Sequence, residues 1–134
     1  MDGRRSLKIG LRCCDRGSLT LSYAAVLPFL FLFIMAMIQA SLWFLAREAA
    51  LAAARQGADA ARILHAPTSA GLTAALSFAR LAGKGYLFDP TVVEAGTTSR
   101  TVAITVSGRV PSFVPGLVVR VSETVLAPVE EFRS

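Results

Sequence analysis

The chain has 134 residues, a formal net charge of +5 and a hydrophobic content of 54%. This length suits one small domain beside any membrane segment. The basic residues after residue 46 occur singly rather than in clusters, which argues against a nucleic-acid-binding surface. The two cysteines, Cys13 and Cys14, are adjacent, so the rest of the chain owes no stability to a disulfide.

A short basic tail comes first, over residues 1–17. Five basic residues in it face two acidic ones, Asp2 and Asp15. A basic flank stays on the cytoplasmic side of a membrane segment, so we predict a cytoplasmic tail and an extracytoplasmic C-terminal part. Cys13 and Cys14 are open to acylation or to metal binding with a partner, and the simpler interpretation is two reduced thiols.

An uncharged run follows, from Gly17 to Ala46, without Asp, Glu, Lys, Arg or His. A bilayer core requires roughly 20 apolar helical residues, so we predict a transmembrane helix over residues 18–46. The internal Pro28 is expected to bend it. A cleaved secretory signal is the alternative, but its apolar stretch is only roughly 7–15 residues long. We therefore expect a retained, single-pass anchor in the cell membrane.

Gln39 is the most informative polar residue of this predicted span. A side-chain amide at membrane depth costs free energy unless it bonds to a neighbour or reaches the interface. Two interpretations follow, namely association with another helix through Gln39 and placement near the lipid headgroups. Tyr23 and Trp43 suit the roles of interfacial anchors.

An alanine-rich helical stem is predicted to continue the span as far as His65, before Pro67. Arg55 and Asp59 are four residues apart and are expected to pair. Small residues recur at every fourth position on another face: Ala49, Ala53, Gly57 and Ala61. Such a ridge allows close helix packing, and an alanine-rich composition alone is the other interpretation.

A second helix is predicted from Ala70 to Ala82, with Thr68 and Ser69 as candidate N-caps. Its apolar stripe comprises Leu72, Leu76, Ala79 and Ala82, with Phe78 and Leu81 beside it. The Gly83-Lys84-Gly85 sequence supplies the stop.

Three strands are predicted next, over Thr91–Glu94, Thr101–Ser107 and Leu117–Leu126. The second strand alternates, with Val102, Ile104 and Val106 on one face. The third presents Val119, Val121 and Val125 to the core, with Glu123 interrupting that face.

The predicted fold class is therefore α+β. A long N-terminal transmembrane helix continues into the stem, and a second short helix and a three-stranded antiparallel sheet follow. Both helices pack on one face of that sheet. Residues 47–134 form an extracytoplasmic stem with a small head.

Catalytic chemistry is poorly represented. The single histidine, His65, suits the last turn of a helix, and the Glu130-Glu131 pair suits a solvated end. The sequence contains neither a glycine-rich phosphate loop nor a metal-ligand spacing. We expect a protein that is not an enzyme, with no catalytic residue, metal, cofactor or small-molecule substrate.

The junction from Arg16 to Pro28 carries an Arg-Gly-Ser start, small and hydroxyl residues, and a proline within the span. It resembles the N-terminal signature of TadE-like proteins, which are pilin-like components of the tight-adherence pilus system. The alanine-arginine helix at 49–61, the connector at 110–117 and the end at 127–133 are similar to actinobacterial members. The resemblance implies a pilin-like fold in a type IV-like pilus or secretion assembly. Its implied partners are the membrane, other pilus-assembly or pilin-like proteins, and further copies of the chain.

The same resemblance implies cleavage by a prepilin peptidase after Gly17, which leaves Ser18 as the new N-terminus. The fifth residue of a mature pilin is usually Glu, which pairs with a neighbouring subunit's amine. Ser22 stands there in this chain, and a hydroxyl cannot form that ion pair. Without cleavage the protein would act as a membrane-anchored assembly factor.

Two other functions remain open from the sequence. The first is a membrane-anchored envelope protein whose exported domain binds a ligand or a cell-wall component. The second is a secreted protein with an unusual signal.

Overall fold

The chain forms two helices and one antiparallel sheet in a computed structural model that describes residues 16–63, 67–98 and 100–129. The elements are α1 (Arg16–Ala61), α2 (Thr68–Ala82), β1 (Phe88–Glu94), β2 (Thr101–Val110) and β3 (Val119–Pro128). The predicted α+β class and the order of the elements are confirmed. The predictions for Cys13, Cys14, His65 and Glu130-Glu131 fall outside the described residues.

Helix α1 contains Pro28 and belongs to two compact units, one extending to Ile34 and one beginning at Met35. It ends at Ala61 rather than at His65, and its last hydrogen bond runs from Arg62 N to Ala58 O at 3.0 Å. The helix stops early because the chain reverses here, and α2 packs back against α1 within a few residues.

Asp59 pairs with Arg62, with 3.1 Å between Oδ1 and Nε. The predicted pairing of Asp59 with Arg55 is therefore wrong. Arg62 lies just beyond the end of the helix and reaches back by three residues rather than four. Both side chains are largely exposed, so this ion pair contributes little to stability.

Helix α2 begins at Thr68, two residues earlier than predicted. Pro67 is its N-cap in an extended conformation, and its carbonyl accepts the N–H of Ala70 at 2.9 Å. The predicted capping role of Thr68 and Ser69 is wrong, because both are already helical and no side chain caps the helix. At the other end, Gly83 N donates to Ala79 O at 2.9 Å, as the predicted stop requires.

The two helices touch backbone to backbone at Gly57 and Gly71. A Cβ atom on Gly57 would lie 2.6 Å from the Ala75 Cβ and 2.8 Å from the Gly71 carbonyl oxygen. One on Gly71 would lie 2.5 Å from the Ala61 Cβ. Both distances are far below van der Waals contact, so only glycine fits at this crossing.

The buried stripe of α2 consists of Gly71, Ala75 and Ala79. The predicted stripe through Leu72 and Leu76 is therefore displaced by one position, since both leucines are only half-buried and flank the contact. Small side chains occupy the centre because they permit the close approach to α1. The larger side chains cover its sides.

The sheet has the order β1-β2-β3, with both pairs antiparallel. Val102, Ile104 and Val106 are all buried, which confirms the predicted core face of β2. Strands β1 and β2 are longer than predicted, and β3 has the predicted length but lies two residues further along the chain. Strand β1 starts at Phe88 and is irregular up to Thr91, with Asp89 in the left-handed region at φ 47°.

Strand β2 extends to Val110, and β3 begins at Val119 rather than Leu117, because Val110 and Val119 form the last pair of the ladder. Residues 111–118 are thereby excluded from the sheet and form a connector between β2 and β3.

The core is built from small residues on α1 and branched residues on the sheet. The α1 face is made of alanine and glycine only: Ala46, Ala49, Ala50, Ala53, Ala54, Gly57, Ala58 and Ala61. Ile104 and Val106 are the largest fully buried side chains, and Ile104 reaches the Gly57–Gly71 crossing. The short helix side chains leave the space that the branched strand side chains fill.

We predict that Gly71→Ala destabilises the head. Glycine to alanine in a helix ordinarily stabilises by about 1 kcal/mol. Here we expect a loss of about 1–3 kcal/mol through overpacking, because the new Cβ meets Ala61 and the Gly57 carbonyl. Denaturant unfolding of the full-length protein in detergent measures the change.

Thr73→Ala is the matched control, since Thr73 is exposed on the same helix. We expect it to shift stability by less than about 0.5 kcal/mol. A Gly71→Ala protein as stable as the parent would contradict the close contact.

Candidate functional site

The N-terminal unit presents large apolar side chains on every side of α1. Phe29, Leu30, Phe31, Leu32 and Phe33 follow one another, and each exposes more than half of its surface. Successive residues of a helix point in directions about 100° apart, so no side of this segment is covered by the protein. A surface of this kind requires lipid or a partner protein.

Length and composition agree with a membrane span. Helix α1 contains the one segment among the described residues that is long and apolar enough to cross a bilayer, with a mean hydropathy of 2.2. None of that window is buried within the protein, whereas the core helix of a soluble protein would be mostly covered.

Gln39 binds the connector between β2 and β3. Its Nε2 donates to Pro111 O at 3.0 Å, and its Oε1 accepts the N–H of Phe113 at 3.2 Å. Both polar atoms of the side-chain amide are thus hydrogen-bonded within the chain, in the unit that begins at Met35. This two-point contact fixes the connector against α1.

Arg47 joins the same helix to the sheet. Its Nε lies 2.7 Å from Glu123 Oε1, and its guanidinium lies 5.7 Å from the centre of the Trp43 ring. The pair explains why an acidic residue interrupts the core-facing side of β3. Arg47 is also the first charged residue after the uncharged run.

The predicted ridge of Ala49, Ala53, Gly57 and Ala61 is buried within this chain. Helix α2 covers it at Gly57 and Ala61, where Ala75 and Gly71 approach closely. The backbone that this ridge accommodates therefore belongs to the same chain. A second protein can reach the ridge only if the head opens.

Gly17, Ser18 and Ser22 lie in the first two turns of α1, which begins at Arg16. Their side chains fall outside the described part of the structure. The helix passes through the Gly17–Ser18 peptide bond and through the position where a pilin would carry Glu.

A metal-binding geometry is not found in the described residues. No group of three His, Cys, Asp or Glu side chains lies close enough there to hold a metal ion. The site that the structure does build is a junction, at which an exposed apolar helix meets the connector through Gln39 and the sheet through Arg47.

Residues 17–59 match the model of the TadE-like protein family. This confirms the resemblance over the residues that carry the uncharged run, Gln39, Arg47 and most of the small-residue ridge. Searches of curated proteins and of solved structures give no significant match. The match and the candidate spanning helix together support a membrane protein related to pilus assembly.

The TadE-like segment, residues 17–59, ends before α2 and the sheet begin. Sequence reasoning did not predict two contacts of this segment, namely that of Gln39 with the connector and that of Arg47 with Glu123. Both link positions more than seventy residues apart. The one available signal was an unpaired charge, Glu123, on an otherwise apolar strand face.

We predict that Gln39→Leu loosens the connector, because Phe113 N–H and Pro111 O both lose their partner. The lost hydrogen bonds are worth about 1 kcal/mol, so the exchange rate of the Phe113 amide should rise about five-fold. Hydrogen–deuterium exchange of the full-length protein in detergent measures this rate.

Ser41→Ala is the matched control on the same helix. Ser41 Oγ bonds only to Met37 O of its own helix, so the connector should keep its protection. Equal exchange at Phe113 in Gln39→Leu and in the parent protein would show that the amide does not hold the connector.

Proposed function

We propose that this chain is a single-pass, non-catalytic component of a tight-adherence, type IV-like pilus or secretion assembly. The observation that carries the proposal is the coincidence of the TadE-like segment with a helix that is apolar and exposed on all sides. In this proposal α1 anchors the protein and contacts other membrane components, while the head stands outside the bilayer.

The proposed orientation places the N-terminus in the cytoplasm and the head on the extracytoplasmic side. It is supported by the excess of basic residues before Gly17, because such residues stay on the cytoplasmic side. On the other flank Arg47 is followed directly by Glu48, so the charge difference across the span persists.

The proposed contact surface for pilus-assembly or pilin-like partners is the exposed part of α1 from Tyr23 to Ile38. The structure directs this choice, because the small-residue ridge further along the helix is already covered by α2. In lipid, helices associate through van der Waals packing and small residues. Ala24, Ala25 and Ala36 supply such residues within the exposed part.

We predict that Leu30→Arg removes the protein from the membrane fraction. An arginine at the centre of a spanning helix costs roughly 2.5–3.5 kcal/mol on insertion. Fractionation of cells followed by an alkaline wash of the membranes measures the retained share.

Leu81→Arg is the control, since Leu81 is 78% exposed on α2. It should remain in the membrane fraction. Full retention of Leu30→Arg would contradict the proposed anchor.

Site-directed cross-linking tests the assembly role. In a background with Cys13→Ser and Cys14→Ser, we expect Phe31→Cys to form adducts with a pilus-assembly component or a second copy. Leu81→Cys, which is more exposed (78% against 60% for Phe31) but lies on the head, should give far less of that adduct. Adducts from Leu81→Cys alone would contradict assembly through the helix and favour a head that recognises a partner.

A further inference from the structure

The connector at residues 111–118 exposes a second apolar surface, separate from the helix. Phe113, Val114, Leu117 and Val118 each expose more than half of their surface. The nearest charged residues along the chain are Arg109 and Arg120, so the whole connector is uncharged. Exposed apolar side chains grouped in this way indicate a binding surface.

The connector is held beside the part of α1 where the apolar surface ends. Gln39 binds its backbone at Pro111 and Phe113, whereas the first charged residue of the helix after the uncharged run is Arg47. Between these two levels, about 12 Å apart along the helix axis, Phe44 and Leu45 remain exposed. The connector therefore lies level with uncovered apolar helix surface.

The length of the uncharged run also places the end of the membrane span near Gln39, the residue that binds the connector. Within the uncharged run at 17–46, the segment at 17–38 precedes Gln39, which is the first side-chain amide of the run. A bilayer core requires roughly 20 residues, so a helix spanning with this stretch leaves the hydrocarbon near Gln39. The Trp43 ring, one turn further along, suits the headgroup region.

Part of the connector backbone satisfies its hydrogen bonding without water. Pro111 and Pro115 carry no N–H group. The N–H of Phe113 bonds to Gln39 Oε1, that of Val114 to Ser112 Oγ at 3.2 Å, and that of Leu117 to Val114 O at 3.2 Å. The N–H groups of Ser112, Gly116 and Val118 are left for water or headgroup oxygens. Because unpaired N–H groups are costly in hydrocarbon, the connector suits shallow immersion at the boundary, where such partners are present.

We propose that the connector inserts its apolar side chains into the boundary between headgroups and acyl chains of the bilayer that α1 spans. Lipid thus covers the apolar side chains of the connector, and the contact with Gln39 fixes the depth of the connector in the bilayer. The inference rests on the proposed anchor, and it adds a second membrane contact made by the head itself.

Depth-dependent fluorescence quenching tests the proposal. The full-length protein carries Trp43→Phe to remove the native tryptophan, and Phe113→Trp adds a single reporter. It is reconstituted into phosphatidylcholine–phosphatidylglycerol vesicles containing lipids brominated near the carbonyl end of the acyl chain. We expect blue-shifted emission and quenching several-fold stronger than that of Leu126→Trp, a control 70% exposed on β3.

A third variant, Phe29→Trp in the same background, reports on the span, in vesicles whose lipids are brominated near the methyl end of the acyl chain, because residue 29 lies near the middle of the stretch at 17–38. Strong quenching at position 29 together with quenching at 113 no greater than at 126 would overturn the connector proposal and leave the anchor standing. Absence of quenching at position 29 would overturn the anchor and, with it, the connector proposal. Strong quenching at 29 and 113 but not at 126 supports both.

Discussion

The contact on which the rest of the head depends is the crossing of α1 and α2 at Gly57 and Gly71. Because neither glycine has a Cβ, the carbonyl oxygen of Gly71 occupies the space that a Cβ on Gly57 would need. The carbonyl oxygen of Gly57 likewise occupies the space that a Cβ on Gly71 would need. This closeness allows Ile104 of the sheet to reach both helices at once. Two helices and a sheet thus share one core, although the α1 face within it consists only of alanine and glycine.

Helix α1 therefore has two parts with opposite surface properties. Its N-terminal part exposes phenylalanine and leucine on all sides, whereas its C-terminal part buries a narrow stripe of small residues. The change falls between Gln39 and Arg47, where polar side chains first bind other parts of the chain. Within the unit that begins at Met35, these two residues join α1 to the connector and to β3.

Patterns local in sequence were enough to predict most of the fold. The uncharged run, the alternation in β2 and the proline and glycine signals gave the correct elements in the correct order. Element ends were less accurate, because Val110–Val119 pairing and the α1–α2 reversal are set by tertiary contacts. The buried stripe of α2 was predicted one position away from its place. A hydrophobic pattern selects leucine as the buried residue, whereas the close contact between the two helices requires glycine and alanine. The Gln39 contact could not be predicted, because its partners are backbone atoms, and a side-chain pattern carries no information about which backbone atoms bind a distant residue.

The separation of these contacts along the chain has a consequence for biosynthesis. Gln39 cannot bind the connector until Pro111 has been synthesised, and Arg47 cannot pair until Glu123 has been synthesised, more than seventy residues later in each case. Long loops must close before such contacts contribute, which delays folding of the head. The uncharged helix, in contrast, needs only its own residues. The uncharged helix can therefore form well before the contacts of Gln39 and Arg47 with the connector and β3.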